Sequence, residues 1–423
     1  LSCQVSLATA VPTEAWLDLS LGGKPMVRIH DPEAGTSHSI LAMGMRAEST
    51  YTITAHVRAL EGASEGRAES SFTTGTLPPE VVVPVVTLNG PTDQKAPWTF
   101  TGLIDMSLAG MRPSAVTMLD SEGKPVWYSL GVIPGMFIEL TTDANKLFVA
   151  SPMPFEVTLN SETSWMNPDF MPRGTSFGQN PDVTEGDIHH DMHALPNGNL
   201  ALLRYHVRGD VVGDHLQELK RDGEVVWEWN SLDHLPYGAA KGDVHHGNAL
   251  TVNVEEGWAL YSAAAMNLVV KIDMATGEIL WRLGATGDFT FAPGQEVNWF
   301  AHQHSPTILP NGELLLFDNN GDENRSHVRQ YAIDEDSRVV EQVWQWPPRG
   351  SEIDFYTDRM GSALVLPNGN VQVCAAMFKD GTLQGSRVFE VTRAGSILSQ
   401  FNFPAPYILY RSTVGVPGHL ELL

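Results

Sequence analysis

The sequence predicts an all-β protein made of repeated units, and three observations support this prediction. The apolar residues of the 423-residue chain occur in short runs between turn residues, among 38 Gly and 27 Pro. The sequence Leu-Pro-Asn-Gly occurs at 195–198, 309–312 and 366–369. A turn followed by a tryptophan-bearing strand occurs around Trp227, Trp281 and Trp344. No stretch shows the periodicity of a long amphipathic helix.

The spacing of these repeats predicts a six-bladed β-propeller. The three tryptophans are separated by 54 and 63 residues, and Leu309 and Leu366 by 57. Units of this length, each with about four short strands and a recurring aromatic residue, are typical of propeller blades. Within a blade the Asn-Gly pair is expected to form a hairpin turn, so the strand before it lines the central channel.

Three segments are expected along the chain. Residues 1–77 contain alternating apolar strands between Gly, Ser and Glu turns and resemble a fibronectin type III β-sandwich, a domain that mostly serves as a spacer. Residues 78–97 are rich in proline and are expected to form an extended linker, with an added edge strand at 81–86 as an option. Residues 98–423 are expected to form the propeller and to carry the site in its channel.

The composition excludes several classes of function. With 26 basic and 50 acidic residues, the chain has a formal net charge of −24, which repels nucleic acids and anionic lipid surfaces. A small anionic ligand can still bind in a locally basic pocket. The sequence contains no run of ~20 apolar residues, so we expect no transmembrane segment. It leaves the oligomeric state open.

The two cysteines do not form a disulfide framework. Cys374 lies in an apolar strand and is expected to be a buried thiol. Leu1, Ser2 and Cys3 match the end of a lipoprotein signal, in which Cys3 would carry the lipid anchor. An arbitrary start of the sequence explains the same three residues equally well.

Histidines lie before the Leu-Pro-Asn-Gly turns and at the start of one further blade. Because neighbouring residues of a strand point to opposite faces, only one histidine of each adjacent pair can face the channel. Arg325 follows the strand after His304, and imidazoles beside a guanidinium form a site for an oxyanion. Packing or capping roles for individual histidines are the alternative. The histidines concerned are His189, His190, His193, His245, His246, His302 and His304.

Metal sites are a second alternative. Channel-facing histidines could hold zinc, iron or manganese together with Asp191, but the sequence has no HExxH motif. A calcium loop is suggested by alternating oxygen-bearing side chains, yet glycine stands at its fourth position and no glutamate closes it. We therefore expect no metal and no other cofactor. The residues of the candidate calcium loop are Asp318, Asn320, Asp322 and Asn324.

Residues 80–415 resemble the arylsulfotransferase family, the bacterial arylsulfate sulfotransferases that take a sulfuryl group from a phenolic sulfate instead of the nucleotide donor PAPS. The most specific segment is FAHQHSPTILPNGELLLFDNNGDENRS at 300–326. The resemblance also rests on HHGNALTVN at 245–253, VVKIDMATGEILWRLG at 269–284, DFYTDRMGSALVLPNG at 354–369 and YRS at 410–412.

The resemblance implies a six-bladed propeller with an N-terminal β domain, located in the periplasm or secreted, and an active site in the central channel. By motif position, His246 and His304 would contact the sulfuryl group and Arg325 would neutralise its oxygens. The best-studied family members carry a further histidine in the last blade that becomes transiently sulfated. Residues 351–403 contain no histidine, and the corresponding strand is VCAAMFKDG at 373–381.

Three interpretations of the site follow. In the first, the protein is an arylsulfotransferase-like enzyme that needs no PAPS, and His190 takes the place of the missing nucleophile. In the second, the propeller performs a different reaction, such as hydrolysis, elimination or alkylation, with His304 or His246 as general base and Arg325 as anion clamp. In the third, the channel binds a ligand without catalysis.

The predicted site has two groups of residues. Aromatic side chains, Tyr356 among them, can stack on a planar substrate. The expected partner is a small aromatic or sulfated molecule. The predicted catalytic residues are His190, His246, His304 and Arg325. The predicted substrate-binding residues are His302, His245, Tyr356 and Arg359.

Overall fold

The computed structural model confirms the prediction of an all-β chain. Apart from strands, the described residues contain one short α-helix, α1 (Ser231–His234), and one 3-10 turn at Ala264–Met266. Neither is long and apolar enough to cross a membrane. The structure describes residues 1–93, 95–107, 112–130, 137–141, 146–150, 154–167, 185–322, 325–353, 355–380 and 382–423.

The N-terminal sheet has six strands. They are β1 (Cys3–Leu21), β2 (Lys24–His30), β3 (Gly35–Ala42), β4 (Thr50–Ala59), β5 (Glu65–Thr73) and β33 (Leu420–Leu422). They pair in the order β33, β2, β1, β4, β5, while β3 pairs with the first half of β1. Because β33 comes from the other end of the chain, the C-terminal segment is fastened to the N-terminal sheet.

Six further sheets of four or five strands follow. Sheet 1 contains β32 (Tyr407–Gly415), β7 (Trp98–Asp105), β8 (Arg112–Leu119) and β9 (Pro125–Ser129). Sheet 2 contains β10 (Phe137–Leu140), β11 (Lys146–Ala150), β12 (Pro154–Thr158) and β13 (Thr163–Met166). Sheet 3 contains β14 (Ile188–Ala194), β15 (Leu200–Arg208), β16 (Val211–Leu219), β17 (Val225–Asn230) and β18 (Gly242–Asp243).

The remaining three sheets complete the set. Sheet 4 contains β19 (Gly247–Asn253), β20 (Trp258–Ala263), β21 (Leu268–Asp273) and β22 (Ile279–Leu283). Sheet 5 contains β24 (His304–Ile308), β25 (Leu314–Asp322), β26 (Arg325–Asp334), β27 (Val339–Trp346) and β23 (Thr290–Phe291). Sheet 6 contains β28 (Ser362–Val365), β29 (Val371–Asp380), β30 (Thr382–Val391), β31 (Ile397–Pro404) and β6 (Val85–Leu88).

The inner strand of each sheet contacts the inner strand of the next. The inner strands are β32, β10, β14, β19, β24 and β28, and the contacts run in this order and return from β28 to β32. The six sheets therefore form a closed ring, which is the arrangement of a β-propeller.

Strands from both ends of the propeller segment close this ring. β32, near the C-terminus, pairs antiparallel with β7 and so completes sheet 1. β6, which lies in the predicted linker, pairs with β31 and adds a fifth strand to the outer edge of sheet 6. The closure makes β32 an inner strand and places Tyr410 and Arg411 beside strands that come more than a hundred residues earlier in the chain.

The Leu-Pro-Asn-Gly repeats form tight turns between the first two strands of their sheets. In each copy the glycine N–H donates to the leucine carbonyl at 2.8 or 2.9 Å. The positive φ explains why glycine ends the phrase, since other residues rarely adopt it. The glycines are Gly198, Gly312 and Gly369, with φ of 85°, 83° and 83°.

Tryptophans on outer strands join neighbouring sheets through hydrogen bonds. In three sheets an indole N–H donates to a backbone carbonyl in a turn of the following sheet. Each indole also buries a large apolar surface, so one residue type supplies both packing and a directed hydrogen bond. The pairs are Trp127 with Leu159 at 2.8 Å, Trp229 with Gly277 at 3.0 Å, and Trp346 with Gly395 at 3.2 Å.

A buried ion network joins four of the inner strands. The Asp191 carboxylate on β14 is 1% exposed, and it accepts hydrogen bonds from Arg411 Nη1 on β32 at 3.1 Å and from the N–H of Leu250 on β19 at 2.8 Å. The same carboxylate lies 2.8 Å from His193 Nε2, whose Nδ1 lies 3.1 Å from Glu139 on β10. Burial disfavours a charged imidazole, but the two carboxylates raise the pKa of His193 to about 10.

Replacing Asp191 with asparagine should destabilise the whole ring. Without the carboxylate, two cations stay buried with reduced compensation, so we expect the free energy of unfolding to fall by about 3–5 kcal/mol. Guanidinium unfolding of the purified variant measures this loss. The control is Asp210→Asn, which breaks the exposed pair with Lys241 and should cost less than about 1 kcal/mol. Equal losses in the two variants would contradict a structural role for the network.

Candidate active site

Four residues at the starts of inner strands have a left-handed backbone. They lie in sheets 3, 4, 5 and 6 at different distances from the turns that follow, and Ser305 in β24, with φ of 50°, has the same backbone conformation. Residues other than glycine rarely adopt this conformation, and such strain is often found at functional sites, where surrounding contacts maintain it. Three of the four are histidines, and the rings of two of them, His190 and His246, contact each other. The residues are His190, His246, His302 and Met360, with φ of 51°, 49°, 51° and 65°.

His246 is oriented by the carboxylate of Asp243 on β18. Its ring Nδ1 donates to Asp243 Oδ2 at 2.5 Å, and its backbone N–H donates to Oδ1 at 3.0 Å. Burial disfavours the charged imidazole, but the hydrogen bond and the charge of Asp243 prevail and raise the pKa of His246. The side chain is 44% exposed, and its Nε2 has no hydrogen-bond partner among the described residues. Nε2 is therefore open to a substrate.

His190 lies against His246 from the neighbouring inner strand. The two ring centroids are 4.7 Å apart, and the rings meet at 71°. Burial, followed by the nearby His246 and His189, lowers the pKa of His190 well below its ordinary value. Its Nδ1 lies 2.8 Å from Nδ1 of His189, and its Nε2 has no hydrogen-bond partner within the described part of the chain. His190 is therefore a neutral imidazole with an open Nε2.

The two imidazoles differ in protonation although they touch. Near neutral pH His190 carries no charge, while Asp243 favours the protonated form of His246. Two titratable groups whose pKa values are pushed apart in one site are suited to act as nucleophile or base and as acid.

His304 differs from His190 and His246, because both of its ring nitrogens have hydrogen-bond partners. Its Nδ1 donates to Asn319 Oδ1 at 2.7 Å, and its Nε2 accepts the backbone N–H of Met360 at 3.1 Å. Burial lowers the pKa of His304 to about 3, and the charge of Arg411 acts in the same direction. The ring lies 6.4 Å from Tyr410 and is 5% exposed. His304 thus joins sheets 5 and 6 as a neutral group with both nitrogens engaged.

Two guanidinium groups act on these imidazoles. Arg411 has a side chain that is 9% exposed, donates to the carbonyl of Asn248 at 2.7 Å, and lowers the pKa of His190. Arg359 is exposed, lies 3.4 Å from Asp358, and opposes the rise in the pKa of His246. Positive charge therefore reaches the two open imidazoles from sheets 1 and 6.

The other predicted residues are Arg325, His245, His302 and Tyr356. Arg325 is exposed and lines a cavity of about 370 Å³ whose lining includes none of the channel histidines. His245 is fully buried with Nδ1 2.8 Å from Ser231 Oγ, and His302 is exposed. Tyr356 is half-buried.

Sequence reasoning assigned no role to Asp243 or Arg411, and it named Tyr410 only as one of several aromatic residues that could stack on a substrate. A signal for Asp243 was present, because Gly-Asp-x-His-His occurs at 186–190 and again at 242–246. Tyr410 and Arg411 belong to the YRS segment, but their place on an inner strand follows only from the pairing of β32 with β7.

Other reactive groups in the described chain are occupied or buried. Asp318, the first residue of the candidate calcium loop, accepts from Arg329 Nε at 2.6 Å, and both side chains are fully buried. Three further residues of that loop, Asn320, Asp322 and Asn324, have side chains outside the described set. Burial raises the pKa of Cys374 to about 12, so this thiol is not a nucleophile near neutral pH.

Comparisons with known proteins identify the family. Solved structures that resemble the chain include a luciferin-regenerating enzyme, with 12% identity over 79% of this chain and 100% of that chain and a TM-score of 0.40. A structure of unknown function from Bacteroides thetaiotaomicron has 12% identity over 92% of this chain and 90% of that chain, with a TM-score of 0.38. No curated protein matches. The family model Arylsulfotransferase (ASST) matches residues 91–403, and the chain therefore belongs to the arylsulfotransferase family.

Proposed function

We propose that the protein moves a sulfuryl group from an aryl sulfate to a phenolic acceptor without PAPS, by way of His190. The contact between His190 and His246, with their opposed protonation and open Nε2 atoms, is the observation that carries this proposal. The family match supports sulfuryl transfer in general. The missing last-blade histidine requires another nucleophile, and a neutral His190 meets that requirement.

The first half-reaction forms a bond between His190 Nε2 and sulfur. The bond between sulfur and the aryl oxygen breaks, and its electron pair stays on the oxygen. Protonated His246 donates its Nε2 proton to that oxygen, so the product leaves as a phenol.

The second half-reaction returns both histidines to their starting state. The acceptor phenol gives its proton to His246 Nε2, and its oxygen attacks sulfur. The bond between nitrogen and sulfur breaks, and its electron pair returns to His190.

Fixed positive charge stabilises the oxygens that gain charge during transfer. We assign this role to Arg359 and Arg411, because their charges already act on the two open imidazoles. A contact from Arg325 stays a prediction that rests on the family resemblance. His304 positions the start of β28 through the N–H of Met360.

We also propose that the protein works outside the cytoplasm, as the resemblance implies. Cys3 lies at the start of β1, partly buried against the N-terminal core. Its role as a lipid anchor stays a prediction.

The first experiment looks for the covalent intermediate. Incubation with 4-nitrophenyl sulfate alone should add one sulfuryl group to the protein, and peptide mass spectrometry should locate it on His190. Added phenol should then permit turnover. His190→Ala should lose about 10²–10⁴-fold in rate, because His190 combines an unpartnered Nε2 with a lowered pKa, whereas His245, which shares both features, is fully buried.

The control for this experiment is His30→Ala, which removes an exposed imidazole of the N-terminal sheet and should leave the rate unchanged. Nitrophenolate release that continues beyond the first turnover without phenol would show hydrolysis instead of transfer. Binding of the sulfate without release would favour a non-catalytic site.

The pH dependence of the activity follows from the shifted pKa values of His190 and His246. His190 must be neutral, so activity should rise as the pH passes upward through its lowered pKa, well below 6.5. His246 must be protonated for the first step, so activity should fall as the pH passes its raised pKa. A profile of kcat/KM should therefore be bell-shaped. Asp243→Asn should move only the alkaline limb, toward lower pH; movement of the acid limb alone would reverse the assignment.

The anion contact can be assigned by two matched variants. Arg359→Ala should lower kcat/KM for 4-nitrophenyl sulfate by about 10²-fold or more, because it removes positive charge beside His246. Arg325→Ala removes the same group from the separate cavity. If only Arg325→Ala loses activity while both variants keep their melting temperatures, Arg325 holds the anion and the assignment of Arg359 is wrong.

A further inference from the structure

A fully buried carboxylate, Asp214 on β16, lies behind the two open histidines. Its Oδ2 accepts the hydroxyl of Tyr261 and, at 2.9 Å, the backbone N–H of Gly247. Its Oδ1 lies 3.2 Å from His189 Nε2, which is a close electrostatic contact, and neither of these buried atoms forms a hydrogen bond among the described residues. Burial disfavours the charge, but the contact with His189 and the two hydrogen bonds prevail and lower the pKa of Asp214. Asp214 is therefore an ionised group that only accepts hydrogen bonds.

The hydrogen bond from the Gly247 N–H to Asp214 holds the backbone next to His246. Gly247 directly follows His246, whose φ is 49°, so the hydrogen bond to Asp214 holds the strained turn that presents the imidazole. The atoms packed around Gly247 leave no room for a side chain at this position. A Cβ on Gly247 would lie 2.6 Å from the ring of Tyr261 and 2.7 Å from Asp214 Cγ.

The contact of Asp214 with His189 is connected to the ring of His190, because His189 also contacts His190. The His189 ring stacks on Tyr205 with centroids 3.9 Å apart, which fixes its plane. A carboxylate can only accept, so with one proton on each ring the His189 proton lies on Nε2, toward Asp214. The Nδ1 of His189 then accepts the Nδ1 proton of His190 across 2.8 Å. This leaves the lone pair of His190 on Nε2, which faces no protein partner in the described chain.

We propose that Asp214 is a positioning residue that sets the tautomer of His190 and the backbone of His246 at the same time. Its catalytic meaning rests on the proposed function, because the attack on sulfur needs the lone pair on Nε2. As the bond to sulfur forms, positive charge grows on the His190 ring. The relay through His189 to a buried carboxylate stabilises that charge without a direct contact between Asp214 and the substrate.

The tautomer can be measured in the unaltered protein. In protein labelled with 15N only in histidine, NMR at neutral pH should show His190 with a protonated Nδ1 and a bare Nε2. The His190 signals are assigned by their loss in His190→Asn. A proton on Nε2 of His190 in this spectrum overturns the proposal, whatever the variants do.

Asp214→Asn tests the carboxylate with little change in shape. Its carbonyl can still accept from Tyr261 and Gly247, but its amide turns a donor toward His189 Nε2. The protons of the two rings should then shift, so that His190 carries its proton on Nε2. We expect kcat with 4-nitrophenyl sulfate and phenol to fall by about 10³- to 10⁴-fold, with a much smaller change in KM.

Asp243→Asn is the matched control, since it removes a carboxylate from His246 and should leave the His190 tautomer as it is. A folded Asp214→Asn protein with an unchanged His190 tautomer overturns the proposal. The expected tautomers in a protein that transfers no sulfuryl group support the positioning role and reject only the proposed function. If Asp214→Asn does not fold, the spectrum of the unaltered protein decides.

Discussion

The geometry of the site depends on the buried contact between Arg411 and Asp191. β32 comes from the end of the propeller segment and β14 from its middle, so no local sequence constraint holds them in register. The ion pair at 3.1 Å, together with the hydrogen bond from Arg411 to the carbonyl of Asn248, fixes β32 against sheets 3 and 4. Tyr410, next to Arg411, then lies 6.3 Å from His190 and 6.4 Å from His304. The strand that closes the ring therefore also places Tyr410 and Arg411 beside the histidines of the site.

The opposed protonation of the two open imidazoles follows from their distance to a carboxylate. His246 contacts Asp243 directly, so the carboxylate outweighs the cost of burying a charge. His190 is separated from Asp214 by the ring of His189, so burial and neighbouring imidazoles dominate and keep it neutral. Both histidines end the same Gly-Asp-x-His-His sequence. The repeat therefore supplies the imidazoles, and the surrounding sheets determine what each can do.

The parts of the structure that depend on local sequence could be predicted. Leu-Pro-Asn-Gly predicted the hairpin turns, the spacing of the tryptophans predicted repeated blades, and the histidines at the starts of blades predicted that His190 and His246 face the channel. Asp214 could not be predicted, because it lies on β16 with no repeat signal and reaches His189 only through the fold. The role of Arg411 could not be predicted from the sequence for a similar reason, because its strand joins sheet 1 only when the two ends of the propeller meet. Arg325 was chosen from a motif, and neither a motif nor a spacing shows which cavity a side chain lines.

A nucleophile for this site need not come from the last blade. The inner strands of a propeller line one central channel, so an imidazole presented at the start of any of them can face the same space. In sheet 6 that position is taken by Met360, whose backbone N–H is used to hold His304. A histidine becomes a usable nucleophile only when its second nitrogen is held by a group that fixes the proton there. Sheet 3 meets this condition, because its His190 is backed by His189 and the buried carboxylate of Asp214, whereas His304 in sheet 5 has no nitrogen left to react. The proposed reactive centre therefore lies between sheets 3 and 4, where His190 contacts His246.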